Sequence, residues 1–278
     1  MSPLLFSLVI LAAFLHASWN VVVKISANGF LAMFLLQTLM GLMGLVMLLA
    51  FGLPLFTSMG FAITSGLLHT GYNLFLARSY KFGDLGLVYP VARGAAPLLT
   101  LIGSQIFTRD AISSTAVAGV VILIVGIWLI ALSANVFHVH RATFFFALAT
   151  SVFIGCYTIV DGLGGRASGN ASAYTGLVFV LDAIGMLVAG LAMKGPGIFK
   201  AVAPSWKAGL LGAGLSGTAY WIVIWAMAQA PIAAVAALRE TSILFALMFS
   251  AKMLNEKLGW RRLLGVIFVV AGAMALRS

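Results

Sequence analysis

The sequence predicts an all-α integral membrane protein in which ten transmembrane helices form two inverted five-helix repeats around a central cavity. Three observations lead to this fold class: the apolar composition, the length of the apolar runs, and an internal similarity between the two halves of the chain. Of the 278 residues, 63% are hydrophobic and only 8% are charged, whereas soluble domains carry roughly 25% charged residues. A soluble domain of this composition could not cover its surface with polar side chains.

Apolar runs separated by glycine, proline or charged residues mark the predicted helices. Runs of about 20 residues are long enough to cross a bilayer as helices, and they lack the alternation that barrel strands need. The longest connection, 194–207, is predicted to form a short interfacial segment. The ten predicted spans are 4–23, 30–51, 59–78, 85–107, 112–134, 142–161, 172–193, 208–227, 232–252 and 262–277.

An internal repeat relates the two halves, which we place at 1–137 and 138–278. The segment RDAISSTAVAGVVILIVGI (109–127) is similar to NEKLGWRRLLGVIFVVAGA (255–273). Because five spans per repeat is an odd number, the second repeat must cross the membrane in the opposite direction. Inverted repeats are typical of transporters, whose substrate sites lie near mid-membrane at the repeat interface. One constant offset pairs Asp110 with Glu256, Gly119 with Gly265, Gly126 with Gly272, and Arg93 with Arg239.

The net charge of +10 is interpreted as a topology signal and not as a nucleic-acid-binding surface. Most of the basic residues lie at the ends of apolar runs, where they contact lipid headgroups. The connections after the odd-numbered spans carry most of the lysines and arginines. This asymmetry predicts that both chain termini lie outside the cytoplasm.

Polar side chains within the predicted spans are the candidates for a binding site, because such groups are costly in lipid and face a bundle interior or a wet cavity. Residues three or four apart share a helix face. This spacing groups His69 with Tyr72 on the third span, and Tyr89 with Arg93 on the fourth. The remaining candidates lie on spans one, six, eight and nine, and they are Trp19, Asn20, Tyr157, Tyr220, Trp221, Arg239 and Glu240.

Two interpretations are open for these residues. The histidine and the tyrosines either line a cavity, where tyrosines offer apolar faces and polar tips to an amphipathic molecule, or pack between helices. The charged residues of spans four and nine, with Asp182 of span seven, either form fixed ion pairs between the repeats or contact a substrate. Neighbouring helix positions point about 100° apart, so we do not expect Arg239 and Glu240 to bind one target together.

Motifs for catalysis are not found in the sequence. No group of His, Cys and carboxylate residues has the spacing of a metal site, and no phosphate-binding loop points to ATP. His69 has no neighbouring nucleophile or base in the sequence that would complete a catalytic set. We therefore predict that the protein is not an enzyme and uses neither a cofactor nor a metal.

The five-plus-five layout, the stretch FLHASWNVVVK (14–24) and the acid-x8-Gly-x6-Gly ending of each half resemble the drug/metabolite transporter superfamily of ten-span EamA type. The chain looks most like the amino-acid exporter branch, which includes the bacterial aromatic amino-acid exporters. The resemblance implies a multi-pass protein of the bacterial inner membrane that exports amino acids or related metabolites by alternating access. It implies a cavity lined largely by spans three, four, eight and nine, with these first candidates: His69, Tyr72, Tyr89, Arg93, Tyr220, Trp221 and Arg239.

Departures from the superfamily leave alternatives open. Its small multidrug members use a first-span glutamate for proton coupling, whereas this chain has His16 and Trp19 there, so facilitated diffusion or exchange stays open. Other branches carry phosphorylated or sugar-linked metabolites, and Arg93, Arg239 and Lys24 could supply the basic charge that such substrates need. A structural membrane protein without a transport cycle is a further alternative. The expected partners are a small-molecule substrate and the lipid bilayer, not nucleic acid, and a monomer is one option for the oligomeric state.

Overall fold

A computed structural model of the chain describes residues 1–24, 26, 28–82, 85–108, 110–132, 141–254 and 259–277. Side chains are described within these ranges except at 24, 79–82, 85–92, 141–144 and 252–254. The predicted site residue Tyr89 lies in a helix, but its side chain is outside the described residues, and Glu256 lies outside them altogether.

The described residues are almost entirely helical and contain no strand. Short 3-10 turns at Phe56–Ser58 and Ala203–Ser205 lead into the third and ninth helices. The helices are α1 (Pro3–Lys24), α2 (Gly29–Phe51), α3 (Met59–Phe82), α4 (Leu85–Phe107), α5 (Ser114–Leu132), α6 (Arg141–Ala167), α7 (Ala171–Lys194), α8 (Ile198–Val202), α9 (Trp206–Met227), α10 (Ile232–Arg239), α11 (Ser242–Leu254) and α12 (Trp260–Arg277).

Seven segments of the described chain are long and apolar enough to cross a membrane, which makes this a multi-pass membrane protein. Large apolar side chains such as Leu49 and Leu67 point outward and are exposed on the surface that lipid would cover. The other three long helices, α3, α4 and α12, coincide with predicted spans, and their crossing of the membrane stays a prediction. The seven segments are Pro3–Val23, Gly29–Phe51, Ser114–Leu132, Phe145–Ala167, Ala171–Lys194, Ile198–Met227 and Ile232–Ala251.

The helices lie close to the predicted spans, with two differences. The sixth predicted span ends at 161, whereas α6 continues to Ala167, and the carboxylate of Asp161 is buried and hydrogen-bonded inside the bundle. The ninth predicted span is divided into α10 and α11 by a turn at Glu240 and Thr241. Their N–H groups bond to carbonyls three residues back, at 3.0 Å each, so the α-helical hydrogen-bonding pattern is interrupted there.

The second helix of each half begins and ends in the same way. The side chain of Asn28 accepts hydrogen bonds from two N–H groups in the first turn of α2, and Asn170 does the same for α7. Asparagine is a preferred N-cap because it satisfies donors that lack an intrahelical partner. Gly52 and Gly195 follow the two helices with φ of 78° and 65°, a conformation that glycine adopts without strain. These matching ends support the predicted repeat.

Glycines that the repeat predicts to be equivalent lie at one helix crossing, between α5 and α12. A Cβ at Gly126 would lie 2.8 Å from the carbonyl oxygen of Gly265, and a Cβ at Gly272 would lie 2.6 Å from that of Gly119. Since 119 meets 272 and 126 meets 265, the two helices run antiparallel. A pseudo-twofold axis in the membrane plane would relate inverted repeats in this way. The inverted arrangement stays a prediction, which this crossing supports.

Three further helix pairs are arranged as the predicted exchange requires. α1 packs on α9, and α6, which the repeat predicts to be equivalent to α1, packs on α3, while α2 packs on α7. These six helices bring the polar side chains of both halves to one place. The polar groups therefore meet in the interior and not at the surface that lipid covers.

Candidate functional site

A cavity lies inside the bundle, between α1, α2, α3, α6, α7, α9 and α10. Helices of both predicted repeats contribute to its walls. The lining residues are His16, Trp19, Met33, Gln37, Met40, His69, Tyr72, Tyr157, Val178, Phe179, Asp182, Ser216, Tyr220 and Arg239.

Aromatic rings form one wall of this cavity. The imidazole of His69 stacks on Tyr157 with ring centroids 4.0 Å apart and an interplanar angle of 24°. Tyr72 and Tyr220 stand edge-on to Tyr157, at centroid distances of 5.7 Å and 5.9 Å. Such a wall offers apolar ring faces to a hydrophobic group and hydroxyls to a polar one.

A buried carboxylate behind the wall holds two of these rings in place. Asp161 accepts a hydrogen bond from the hydroxyl of Tyr174 at 3.0 Å and another from the hydroxyl of Tyr220. Nε2 of His69 lies 3.2 Å from the same carboxylate. Asp161 has no exposed surface, and these three side chains supply its hydrogen-bond partners. The contacts fix the positions of the cavity-lining His69 and Tyr220 relative to one another.

A second carboxylate, Asp182 of α7, lines the cavity directly. It accepts hydrogen bonds from the hydroxyl of Thr70 and from the amide of Asn73, at 3.3 Å each. The amide of Gln37 in turn donates to Asn73 at 3.1 Å. Both partners of Asp182 are neutral, and no lysine or arginine in the described part of the chain forms a salt bridge with it.

Two buried arginines share one carboxylate where α10 is interrupted. Glu240 accepts hydrogen bonds from Arg93 of α4 at 3.2 Å and from Arg239 at 3.4 Å. Arg93 also contacts the imidazole of His16 and lies 3.5 Å from the hydroxyl of Ser242. Arg239 lines the cavity, and its Nε has no hydrogen-bond partner among the described residues. One negative charge thus faces two positive charges, and the excess positive charge is on the cavity side.

The sequence predicted that Arg239 and Glu240 would not bind one target together, and only Arg239 lines the cavity. The two side chains do, however, contact each other. α10 ends at Arg239 and Glu240 lies in the following turn, so the 100° rotation between successive residues does not apply there. The two side chains consequently converge.

A second ion-pair cluster lies at one end of the bundle, outside the cavity. Arg166, at the end of α6, donates to both carboxylate oxygens of Asp110, at 2.6 Å and 3.1 Å. It also donates to the carbonyl oxygens of Met227 and Ala230, at 2.9 Å and 2.8 Å, while Asp110 accepts from the N–H of Ile232 at 3.0 Å. The pair joins the α4–α5 connection of the first half to the α9–α10 connection of the second.

The electrostatics of Asp110 follow from these contacts. Burial alone would raise the pKa of its carboxyl group. Hydrogen bonds from Arg166 and from the Ile232 N–H, together with the arginine charge, outweigh burial and lower the pKa below its ordinary value of 3.8. The carboxylate is therefore ionised at neutral pH and the cluster is intact.

The structure brings several predicted site residues together at the cavity and leaves others outside its lining. Arg93 and Glu240 are buried beside it, and Asn20 donates to the carbonyl oxygen of His16. The indole of Trp221 donates to Ser172 at 2.8 Å instead. The predicted residues that do line the cavity are Trp19, His69, Tyr72, Tyr157, Tyr220 and Arg239.

Sequence reasoning missed the contribution of α2 and α7. Met33, Gln37 and Met40 lie on a helix whose composition is almost purely apolar, so only Gln37 gave a polar signal. Asp182 was a candidate for an ion pair but was not placed in the predicted site. A single amide or carboxylate within a long apolar run is the signal that would have found both.

No arrangement of three or more His, Cys, Asp and Glu side chains within the described residues could hold a metal ion. The polar groups that line the cavity can bind a ligand through hydrogen bonds and charge. Together with the aromatic wall, they provide a site for an organic molecule that carries both apolar and charged parts.

Comparison with known proteins agrees with this architecture. A solved structure titled "Crystal structure of protein" superposes with a TM-score of 0.79 at 18% sequence identity, over 98% of this chain and 98% of that one. At this identity the likeness concerns the fold alone. No curated protein matches the sequence of the chain. Residues 141–278 match the EamA-like transporter family, and this second half of the chain is accordingly an EamA-like transporter domain of the drug/metabolite transporter superfamily.

Proposed function

We propose that the protein is a membrane transporter that exports amino acids by alternating access, and that the central cavity is its substrate site. The family match of residues 141–278 supports small-molecule transport. The observation that carries the proposal is the cavity itself, to which α1, α2 and α3 contribute from the first half and α6, α7, α9 and α10 from the second. A site between two repeats can be opened to either side by movement of one repeat against the other.

The chemistry of the lining supports an amino acid as the substrate. Tyr72, Tyr157 and Tyr220 offer ring faces for an apolar side chain. Arg239 and Asp182 offer one cation and one anion to the polar end of the molecule. The resemblance of the chain to the amino-acid exporter branch also favours an amino acid as the substrate.

Phosphorylated or sugar-linked metabolites are less well matched to the same lining. They would require a strongly basic cavity, and Glu240 compensates much of the charge of Arg93 and Arg239. Asp182 adds a negative charge to the wall. A purely structural role does not explain a cavity with charged walls in the interior of a membrane protein, because such groups are costly unless they have a use.

The bacterial inner membrane is the proposed location, as the resemblance implies. The proposed layout is ten spans in two inverted repeats, 1–137 and 138–278, with both termini outside the cytoplasm. The repeat boundary falls within residues that the structure does not describe. The matching ends of α2 and α7 support the layout.

Uptake of a panel of radiolabelled amino acids into proteoliposomes tests the proposal. The wild-type protein is compared with Tyr157→Ala, which removes a ring from the cavity wall. The control is Phe145→Ala on the same helix, where the ring is 62% exposed on the outer surface. We expect uptake of at least one amino acid by the wild type and the control, and a fall of about tenfold or more in the Tyr157 variant.

Repeating the assay with an imposed proton gradient separates coupled transport from facilitated diffusion. Equal uptake by the Tyr157 and Phe145 variants would remove the cavity from the proposal. Uptake of phosphorylated metabolites without uptake of any amino acid would replace the amino-acid assignment by the alternative substrate class.

A further inference from the structure

We propose that the cavity selects zwitterions, with the Arg239 guanidinium binding the anionic group and the Asp182 carboxylate binding the cationic group of a single substrate molecule. This inference rests on the proposed function, because it takes the cavity to be the substrate site. It adds a criterion for what is carried: a substrate needs both charges, and neither an amine nor an acid alone satisfies the site.

The argument begins with a balance of charges around the cavity. Asp161 has three partners, the hydroxyls of Tyr174 and Tyr220 and the ring of His69. Arg93 lies 3.2 Å from Glu240 and forms the closer of that carboxylate's two arginine contacts. Asp161 is hydrogen-bonded by three side chains and Glu240 is paired with Arg93, so neither of these two carboxylates depends on a ligand for a partner.

Arg239 is the cation that this balance leaves incompletely compensated. Its contact with Glu240, at 3.4 Å, is with an oxygen that Arg93 already occupies. A guanidinium has five N–H donors, and the Nε of Arg239 has no acceptor among the described residues although the residue is only 3% exposed. A buried donor without an acceptor costs free energy. A carboxylate in the cavity would remove that cost and complete a bidentate contact.

Asp182 is the corresponding anion on another wall. The residue is 4% exposed, and the donors that reach it, from Thr70 and Asn73, are neutral and lie at 3.3 Å. A carboxylate offers about four lone-pair positions, so acceptor capacity remains. Gln37 holds the Asn73 amide with its NH2 group toward Asp182, which keeps the carboxylate in place at the cavity wall.

The two charges together define the chemical class of the ligand. An uncompensated charge in a low-dielectric interior is costly. Removing one partner of a buried ion pair destabilises a protein strongly because the other charge is then left without a counter-charge. A zwitterion compensates Arg239 and Asp182 at once, whereas an amine or an acid would leave one of them with its charge uncompensated. The aromatic wall then accommodates the apolar remainder of the molecule.

Three probes with the same ring test the selection: L-phenylalanine, phenethylamine, which lacks the carboxylate, and 3-phenylpropionate, which lacks the ammonium group. Each competes for uptake of a radiolabelled amino acid that the wild type carries. We expect phenylalanine to compete at least about tenfold better than either analogue in the wild-type protein, since one lost charge contact is worth about 1.4 kcal/mol or more.

Asp182→Asn is the central variant, because the amide keeps the shape of the side chain and removes its charge. In this variant we expect phenylalanine to compete about tenfold more weakly than in the wild type. The ammonium group should no longer contribute, so that 3-phenylpropionate competes as well as phenylalanine. Asp182→Glu keeps the charge and should retain the preference for the zwitterion. Asp110→Asn is the matched control, a carboxylate-to-amide change outside the cavity that should leave the ratio of the two ligands unchanged.

In Arg239→Gln, provided that the purified variant elutes as a single folded species, we expect the carboxylate to stop contributing to binding. Phenethylamine should then compete for uptake as well as phenylalanine does. The Asp182 series decides the matter whether or not that variant folds. An unchanged ratio of phenylalanine to 3-phenylpropionate in Asp182→Asn overturns the inference while amino-acid uptake by the wild type upholds the proposed function. No uptake of any amino acid by the wild type overturns both.

Discussion

Arginine and carboxylate side chains occur in two regions of the molecule, the end cluster of Asp110 and Arg166 and the walls of the cavity. They are paired in the first region and lie apart in the second. In the end cluster, one arginine meets one carboxylate in a two-pronged contact, and neighbouring backbone groups take up further hydrogen bonds. In the cavity, Arg239 and Asp182 lie on different walls, and neither forms a balanced pair of its own. The paired charges of the end cluster link the two halves of the chain. The charges of Arg239 and Asp182 have hydrogen-bonding positions left over that a ligand could use.

The largest expected effect is the loss of the end cluster. Arg166→Met removes the positive charge and leaves Asp110 together with the carbonyl oxygens of Met227 and Ala230 without their donor. Removing one partner of a partly buried ion pair that also has several hydrogen bonds costs about 2–3 kcal/mol. We expect the thermal unfolding midpoint of the detergent-solubilised protein to fall by several degrees, with the ligand preference of the remaining folded protein unchanged. An unchanged midpoint would mean that the cluster does not hold the halves together.

Acidification weakens the same cluster to a smaller degree. The folded-state pKa of Asp110 lies below its ordinary value of 3.8, so the cluster contributes stability that is present above that value and is lost as the pH falls through the folded-state pKa. The cluster therefore predicts no change in stability between pH 8 and pH 5. Below pH about 4, the unfolding midpoint of the wild type should fall more steeply than that of Asp110→Asn. Parallel curves for the two proteins would contradict the assigned ion pair.

The smallest effect on stability is expected when either of two tyrosines that donate to one carboxylate is replaced by phenylalanine. This pair of variants is also the sharpest test of the comparison. Tyr220→Phe and Tyr174→Phe each remove a single hydroxyl bonded to Asp161, and each should cost about 1–2 kcal/mol of stability. Only Tyr220 lines the cavity. We expect the half-saturating substrate concentration of transport to rise for Tyr220→Phe and to stay within about twofold of wild type for Tyr174→Phe. Equal changes in both would mean that Asp161 acts on transport through the whole network.

Local sequence signals were sufficient to locate most of the helices. Asn28 and Asn170 begin their helices, and Gly52 and Gly195 end them, because capping depends on residues a few positions apart. The exception is the end of α6. The predicted sixth span ended at 161, short of the end of α6, and nothing in the adjacent residues indicates that Tyr174, Tyr220 and His69 contact Asp161.

The sequence pointed to some of the residues that line the cavity and not to others, and the difference depends on whether the side chain is polar or apolar. His69, Tyr72, Tyr157 and Tyr220 were found because polar or amphipathic side chains interrupt apolar spans. Trp221 carried the same signal but bonds to Ser172 away from the cavity lining. Residues such as Met33 and Met40 gave no signal, since an apolar side chain that faces a cavity cannot be distinguished in sequence from one that faces lipid.

The sequence by itself determined that the chain is a multi-pass helical membrane protein with polar residues within its spans, because composition, run length and spacing act locally. The relation between its two halves stays a prediction. Only the tertiary structure decided which charges balance. Arg93 and Glu240 are 147 positions apart, and Asp110 and Arg166 are 56 apart, so these pairs exist only after helix packing brings them within hydrogen-bonding distance. The same packing places Arg239 and Asp182 on the walls of the cavity, where we propose that a zwitterionic ligand compensates both charges.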